Sequence, residues 1–218
     1  MSNMATFFAL IASVLNLAGY ILYTRDLRRG NTRPNLASWL VWMGITLLSV
    51  STYVQGTGDI VKSLLSWSIL AANILTFGFI MRRAKFSSLS RLDISALLIG
   101  GVAAIAWFFT QSAWWGNMLV QIAIVIGGVP TILSVWRQPT NERPTPWLLW
   151  GGAFIFQLSV ILTRWTGKPV ELVYPIIGIL LYGVVGLLAL RRPPAAAPLP
   201  LENETPLHAG AVSYRAGE

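Results

Sequence analysis

The sequence predicts an all-α integral membrane protein with seven transmembrane helices, and three observations lead to that fold class. The chain of 218 residues is 55% hydrophobic and only 11% charged, whereas soluble domains carry about a quarter charged residues. Its apolar residues fall into seven runs, each near the ~20 residues that a helix needs to cross a bilayer. The basic residues form short clusters between these runs, with an excess on alternate connections, which is typical of membrane topology.

Short connections separate the predicted spans, so consecutive helices are expected to be neighbours. The first run follows an uncharged start and ends at arginines, which favours a retained helix over a cleaved signal peptide. The Pro- and Ala-rich segment 193–218 cannot build a core and is predicted to be a disordered cytoplasmic tail. The seven spans are Met4–Tyr23, Ala37–Gln55, Ile60–Met81, Ile94–Thr110, Asn117–Trp136, Trp147–Thr163 and Leu172–Leu190.

Thirteen of the 16 basic residues lie on one side of the predicted membrane. The positive-inside rule assigns that side to the cytoplasm, so the N-terminus is predicted outside and the C-terminus inside. This orientation requires an odd number of spans, and seven satisfies it. The absence of a retention signal favours the inner membrane of a bacterium. The thirteen are Arg25, Arg28, Arg29, Arg33, Arg82, Arg83, Lys85, Arg91, Arg137, Arg143, Arg191, Arg192 and Arg215.

An internal repeat divides the seven helices. With an offset of about 110 residues, the first and fifth helices and the loops after them match. Residues 4–83 and 117–192 are therefore predicted to be two three-helix repeats, and 84–116 a linker with a connector helix. One extra helix between the units gives both the same orientation, so the repeats are parallel. The matching loop residues are Asn31, Arg33 and Pro34 with Asn141, Arg143 and Pro144; each loop is followed by two tryptophans, Trp39 and Trp42, then Trp147 and Trp150.

This 3+1+3 arrangement resembles the PQ-loop superfamily, which includes the SWEET sugar transporters and their half-size SemiSWEET relatives. The resemblance covers roughly residues 4–192. At the position of the family's Pro-Gln pair, the second repeat has Pro130-Thr131 and the first has Tyr20-Ile21. The resemblance implies two three-helix bundles that alternate access to a site between them.

Uncharged polar side chains at mid-depth are the candidates for binding a solute. Asn73 lies near the middle of the third span, and a buried amide there must face the bundle interior. SWEET-like carriers bind solute through an asparagine on the third helix of each repeat, so the resemblance implies that role for Asn73. The second repeat has Tyr182 at the matching position. Gln157 is a weaker candidate, and for both amides interhelical hydrogen bonding is the alternative.

The tryptophans that open the second and sixth spans allow two interpretations. They are either an aromatic belt at the headgroup level or an inner gate on which a ring-shaped solute stacks. Trp39, Trp42 and Trp150 are the candidate gate residues. Trp67 lies too deep in the third span for the belt. Pro130 interrupts the fifth helix and is predicted to be either a hinge or a static kink.

Several classes of chemistry are excluded by what the sequence lacks. The chain has no cysteine and one histidine, His208 in the tail, so no metal or other cofactor is expected. No carboxylate lies inside a predicted span, which disfavours proton coupling and acid–base catalysis. The chain is therefore predicted not to be an enzyme, and the placement of its basic residues excludes nucleic acid as a partner.

These observations predict a membrane carrier for a small neutral solute, a sugar or similar metabolite, that works by alternating access between two three-helix bundles. The alternative is a non-transporting receptor or scaffold on the same architecture, because fold alone does not separate the two. The expected partners are the lipid bilayer and the solute. Homo-oligomerisation is left open by the sequence.

Overall fold

A computed structural model describes residues 2–29, 36–82, 89 and 91–191. Within those ranges the chain is all-helical, as predicted, and forms seven α-helices and two 3₁₀ turns. The predicted tail 193–218 and the repeat residues Asn31, Arg33 and Pro34 lie outside the described residues. The helices are α1 (Ser2–Arg28), α2 (Leu36–Thr57), α3 (Ile60–Met81), α4 (Arg91–Thr110), α5 (Ala113–Arg137), α6 (Pro144–Thr163) and α7 (Val173–Ala189), and the 3₁₀ turns are Pro139–Asn141 and Pro169–Leu172.

Five helical segments are long and apolar enough to cross a membrane. The described part of α4 contributes a shorter apolar stretch, Leu97–Thr110, and α2 is not among the five. The outward faces are apolar: Leu75, Phe108 and Phe109 are each more than 70% exposed, which suits lipid better than water. The five segments are Asn3–Arg28, Ile60–Met81, Ala113–Arg137, Pro144–Thr163 and Pro169–Ala189.

Six of the helices form a closed ring. Around the ring the order is α1, α3, α2, α5, α7 and α6, and α6 packs extensively against α1 to close it. In each three-helix set the third helix therefore lies between the first and second. Helix α4 stands outside the ring, against α5 and α2.

Polar side chains buried between the helices are matched across the interfaces, as apolar surroundings require. Asn16 Nδ2 donates to Ser68 Oγ over 3.1 Å, joining α1 to α3. Gln121 Nε2 donates to Ser49 Oγ over 3.3 Å, joining α5 to α2. Thr24 adds a hydroxyl contact of 3.3 Å to Thr76.

The ring has two chemically different ends. At the basic end α1, α3, α5 and α7 finish near arginines, among them Arg28, Arg82, Arg137 and Arg191. At the turn end lie the connections α2–α3, α4–α5 and α6–α7. Asp59 caps α3 there, with its Oδ1 2.8 Å from the backbone nitrogen of Val61, which satisfies a donor that the helix leaves unpaired.

Candidate functional site

A cavity of about 140 Å³ lies inside the ring, lined by residues of all six ring helices. One water molecule needs only about a tenth of that volume, so the cavity has room for a small organic molecule. A second cavity of about 40 Å³ continues from it toward the turn end and is lined by residues that include Ser49, Gln121 and Tyr174. Glu142, in the loop between α5 and α6, lines the first cavity at the basic end. The two cavities together define an axial path that begins at the basic end.

Asn73 contributes an amide to this cavity from the middle of α3. It is 5% exposed, and its Nδ2 donates to Thr46 Oγ1 on α2 over 2.9 Å. Its Oδ1 has no hydrogen-bond partner among the described residues. A buried carbonyl oxygen without a partner is costly, and a ligand donor in the cavity would remove that cost.

Seven of the 15 residues that line the cavity are aromatic, and we call them the aromatic box: Tyr20, Tyr23, Trp39, Trp42, Trp147, Trp150 and Tyr182. Trp150 is its centre, because its ring centroid lies 4.9 Å from that of Tyr20, 5.2 Å from Trp147 and 5.7 Å from both Tyr23 and Tyr182. Trp39 joins through Tyr23, at 5.8 Å. The four tryptophans of the box all line the cavity, which favours the inner-gate interpretation.

Trp150 occupies its place because α1 provides room beside it. A Cβ at Gly19 would lie 2.6 Å from the indole Nε1 of Trp150, closer than real carbon atoms approach. The same Nε1 donates to the backbone oxygen of Asn16 over 3.3 Å. Glycine at this position therefore lets α6 insert its tryptophan against the backbone of α1.

The structure brings together four of the five predicted binding residues, namely Asn73, Trp39, Trp42 and Trp150. Gln157 lies elsewhere: it is fully buried nearer the turn end and does not line either cavity described above. Pro130 lies inside α5, and its neighbours Gly128 and Thr131 line the cavity. Trp67 is 47% exposed on the outer surface of α3.

The turn end is closed by a polar layer that we call the turn-end seal: Asp59, Lys62, Arg164 and Glu171, with Tyr53, Gln157 and Tyr174 beneath them. Lys62 Nζ lies 3.0 Å from Glu171 Oε2, and both side chains are at most 3% exposed. Arg164 Nε lies 2.6 Å from Asp59 Oδ2. Both ion pairs join the first three-helix set to the second, so they hold the two sets together at this end.

Beneath the charges, aromatic and amide groups complete the seal. The rings of Tyr53 and Tyr174 lie 4.4 Å apart, and Ser66 Oγ donates to the Tyr174 hydroxyl over 3.3 Å. Gln157 Nε2 donates to the backbone oxygen of Lys62 over 2.7 Å and to the Tyr53 hydroxyl over 3.1 Å. Gln157 therefore has a structural partner on each of two helices.

Two carboxylates that lie at a helix end or in a connection are nevertheless buried. Glu171 is 2% exposed and Asp26 3% exposed. Glu171 is buried because Lys62 and Thr166 hold both of its oxygens, with Thr166 Oγ1 2.6 Å from Oε1. Since Lys62 lies 109 residues away, hydropathy along the chain carries no signal of this pair. Removing either partner would leave an uncompensated buried charge, which costs about 3–5 kcal/mol.

A second acidic group lies at the other end of the path. Glu142 Oε2 accepts a hydrogen bond of 3.1 Å from Trp147 Nε1, which ties the carboxylate to the aromatic box. The adjacent Arg143 is 3.5 Å from the buried carboxylate of Asp26. The positive charge of Arg143 is thus balanced by Asp26 on α1.

Comparison with known proteins gives a partial relationship. No protein-family model matches the chain, and no solved structure matches it. A stretch of 75 residues is 29% identical to the lincomycin resistance protein LmrB of Listeria monocytogenes serovar 1/2a, covering 32% of this chain and 16% of that protein. The chain is a multi-pass helical membrane protein. The match spans about a sixth of LmrB and assigns no family.

Proposed function

We propose that this chain is a carrier for a small organic solute, which alternates access between two three-helix units, residues 4–83 and 117–192. The observation that carries the proposal is the axial path: a cavity between the units that reaches the basic end and is sealed at the turn end. A carrier in one of its two states has this form, with one side accessible and the other closed.

The ring order supports the two-unit description. Each unit places its third helix between the other two, and α1 meets α6 as α2 meets α5. Two parallel copies related by an axis along the membrane normal produce this pattern. The connector α4 lies outside the ring, where it does not obstruct movement between the units.

The topology supports seven spans. Helix α1 finishes at the basic end and α3 begins at the turn end, so α2 between them traverses the same height. The same reasoning applies to α4, which joins the basic end of α3 to the turn end of α5. With the positive-inside rule the basic end faces the cytoplasm of a bacterial cell, and the cavity reaches that end.

The charge of the solute has to be inferred from the residues that line the cavity, not from the positions of carboxylates along the sequence. A neutral solute was predicted because no carboxylate lay inside a span, and that argument is weakened by the acidic Glu142 in the cavity lining and the buried Glu171. The partial similarity to LmrB adds support for small-molecule handling, because that protein is named for resistance to the antibiotic lincomycin.

A receptor or scaffold without transport is the second candidate, and one observation favours it. Asn73 already donates to Thr46, as an amide that only joins two helices would. The cavity beside Asn73 favours the carrier, because a scaffold gains nothing from leaving that space unfilled.

Counterflow in proteoliposomes separates the two functions. Purified protein is reconstituted in vesicles preloaded with an unlabelled solute, and entry of the labelled form is followed for a panel that includes glucose, a neutral amino acid and choline. We expect flux for at least one solute and a loss of about tenfold or more in Asn73→Ala. The matched control is Asn16→Ala, which removes a buried asparagine that joins α1 to α3 outside the cavity lining.

Two results would count against the carrier. One is the absence of flux for every solute with protein that stays monodisperse and folded after reconstitution. The other is an equal loss of flux in Asn73→Ala and Asn16→Ala with equal losses of thermal stability, which assigns Asn73 to helix packing.

A further inference from the structure

An arginine is held in a fixed position where the neighbouring helices α5 and α7 finish at the basic end. The Arg191 guanidinium lies over the indole of Trp136, with its Cζ 4.6 Å from the ring centroid. Its Nη2 donates to the backbone oxygen of Trp136 over 3.0 Å, and its Nε donates to the backbone oxygen of Leu188 over 3.3 Å. Both oxygens belong to last helical turns, so Arg191 satisfies acceptors that a helix end leaves unpaired and joins α5 to α7.

Arg191 has donors and charge to offer a ligand at this point. A guanidinium carries five N–H groups, and these two bonds use two of them, so three have no acceptor among the described residues. Arg137, next to Trp136 in the chain, is exposed. Neither arginine forms an ion pair with a carboxylate in the part of the chain that the structure describes.

The helix faces next to these arginines, toward the middle of the membrane, are apolar and exposed. Leu187 lies four residues before Arg191 and Leu133 three before Trp136, and side chains at those spacings share a helix face. Leu187 is 62% exposed, Leu133 45% and Trp136 61%. Tryptophan favours the level between the hydrocarbon and the headgroups. The surface therefore changes from apolar to cationic within about one helical turn, as the chemistry of a phospholipid does from acyl chain to phosphate.

The chemistry of this surface favours an anionic phospholipid. A guanidinium binds phosphate oxygens through charge-assisted hydrogen bonds, and basic pockets between membrane helices bind anionic headgroups. A zwitterionic headgroup would bring a second positive group toward Arg191 and Arg137. Free phosphate would leave Leu133 and Leu187 uncovered, so it accounts for only half of the surface.

We infer that the basic end of the groove between α5 and α7 binds an anionic phospholipid, with its phosphate on Arg191 and Arg137 and an acyl chain on Leu133 and Leu187. This inference does not rest on the proposed function, because a carrier and a scaffold can both bind lipid. It requires a defined site, in contrast to the general attraction of a basic surface for an anionic membrane.

Competition between two lipids tests the inference. The full chain in detergent is mixed with equimolar phosphatidylglycerol and phosphatidylcholine that carry the same acyl chains, and native mass spectrometry measures the lipid retained on the protein. We expect phosphatidylglycerol to be retained over phosphatidylcholine by about fivefold or more, as basic residues at an anionic lipid surface predict. Equal retention of the two lipids would overturn the inference.

Charge-matched variants separate a defined site from general attraction. Arg191→Gln is expected to lose most of the preference for phosphatidylglycerol. Arg25→Gln removes the same charge from an exposed position in the last turn of α1, at the same end of the molecule, and is expected to keep the preference. An equal reduction in both variants would show general attraction only and would contradict the site.

Arg191 also joins α5 to α7, so its replacement can lower stability by itself. Arg137→Gln is the second test, because the Arg137 side chain is exposed at the end of α5 and forms no ion pair among the described residues. It should reduce the preference for phosphatidylglycerol several-fold and leave thermal stability in lipid-free detergent unchanged. A preference that persists in both Arg137→Gln and Arg191→Gln would place the lipid elsewhere and overturn the inference.

Thermal unfolding distinguishes a lipid from a free anion as the source of the phosphate. Added phosphatidylglycerol should raise the unfolding temperature of the wild type more than that of Arg191→Gln. Inorganic phosphate at the same concentration should leave both unchanged. Stabilisation by inorganic phosphate equal to that by the lipid would assign the arginines to the free anion and contradict the lipid site.

Discussion

Asp59 has two contacts at the turn end, one within its unit and one between units. Its Oδ1 accepts from the backbone nitrogens of Val61 and Lys62, and its Oδ2 pairs with Arg164. Burial raises the pKa of the Asp59 carboxyl, but the Arg164 guanidinium and the two backbone N–H groups outweigh it, so the pKa lies below its usual value. The charged form is therefore the one that the folded protein favours.

The Asp59 carboxylate should stabilise the fold in a pH-dependent way. When the pKa of a carboxyl is lower in the folded than in the unfolded state, the carboxylate stabilises the fold. This contribution to the free energy of unfolding is fully present above the unfolded pKa, about 4, and is lost as the pH falls through the folded pKa. Asp59→Asn keeps a good helix cap but removes the charge. Thermal unfolding in detergent should therefore show wild type more stable than Asp59→Asn by on the order of 1 kcal/mol at pH 7.

Below about pH 4 the difference between wild type and Asp59→Asn should shrink toward zero, because protonation removes the same charge that the substitution removes. Other carboxylates titrate in both proteins and cancel in the difference. A gap in stability that is constant from pH 7 to pH 3 would contradict the role given to the Asp59 charge.

Individual residues differ in how well the sequence predicts their location and their partners. Asn73 was predictable, because an amide at mid-span has few options other than the interior. The roles of Lys62 and Glu171 were not, since each on its own reads as an ordinary charge near a helix end. Their burial depends on a contact across 109 residues, which only the packing of α3 against the turn before α7 creates.

Helix α5 combines a proline with a close approach to α7 at the cavity wall. Pro130 removes one backbone hydrogen bond inside the helix. At Gly128 an added Cβ would overlap Leu181 of α7, so the two helices meet there with no room for a side chain. The point at which α5 lacks a backbone hydrogen bond therefore lies close to its contact with α7.

Replacing Pro130 by alanine tests hinge against static kink. The restored backbone hydrogen bond should stabilise α5 by up to about 3 kcal/mol, and a hinge additionally predicts that counterflow slows several-fold. Pro175→Ala is the matched control, because Pro175 lies in the first turn of α7, where proline is tolerated. Higher thermal stability with unchanged counterflow would identify a static kink.

Helix number and helix limits were predicted with different success. Seven apolar runs became seven helices within the described residues, because burial in lipid leaves a strong compositional signal. The ends were predicted less well: α1 continues from Tyr23 to Arg28, and α5 begins at Ala113 rather than Asn117. Terminal turns can be polar and still helical, so hydropathy does not mark where the backbone pattern stops.

At the scale of the whole molecule, the order of the helices in the ring is compatible with the proposed repeat. With an offset of 109, Lys62 of the first unit corresponds to Glu171 of the second, and these two contact each other. In a two-fold arrangement, equivalent positions can touch only beside the axis. On the proposed two-unit description, the Lys62–Glu171 pair would therefore lie beside the pseudo-two-fold axis at the turn end, and Asn73 and Tyr182, which both line the cavity, would border the same axis.

A charge swap tests whether the two units are equivalent around this pair. Lys62→Glu alone places two carboxylates together, and Glu171→Lys alone places two ammonium groups together. Each should destabilise the protein by several kcal/mol, because a buried charge without its partner costs about 3–5 kcal/mol.

The double variant restores opposite charges at positions that a two-fold axis makes interchangeable. The Thr166 hydroxyl can accept a hydrogen bond from lysine as readily as it donates to Glu171. We therefore expect the double variant to recover most of the thermal stability and the closed turn end, with a loss of stability well below the sum of the two single losses. A double variant as unstable as the two single losses added together would show that the surroundings of Lys62 and Glu171 are not equivalent, and the seal would then owe its stability to one unit rather than to the axis between them.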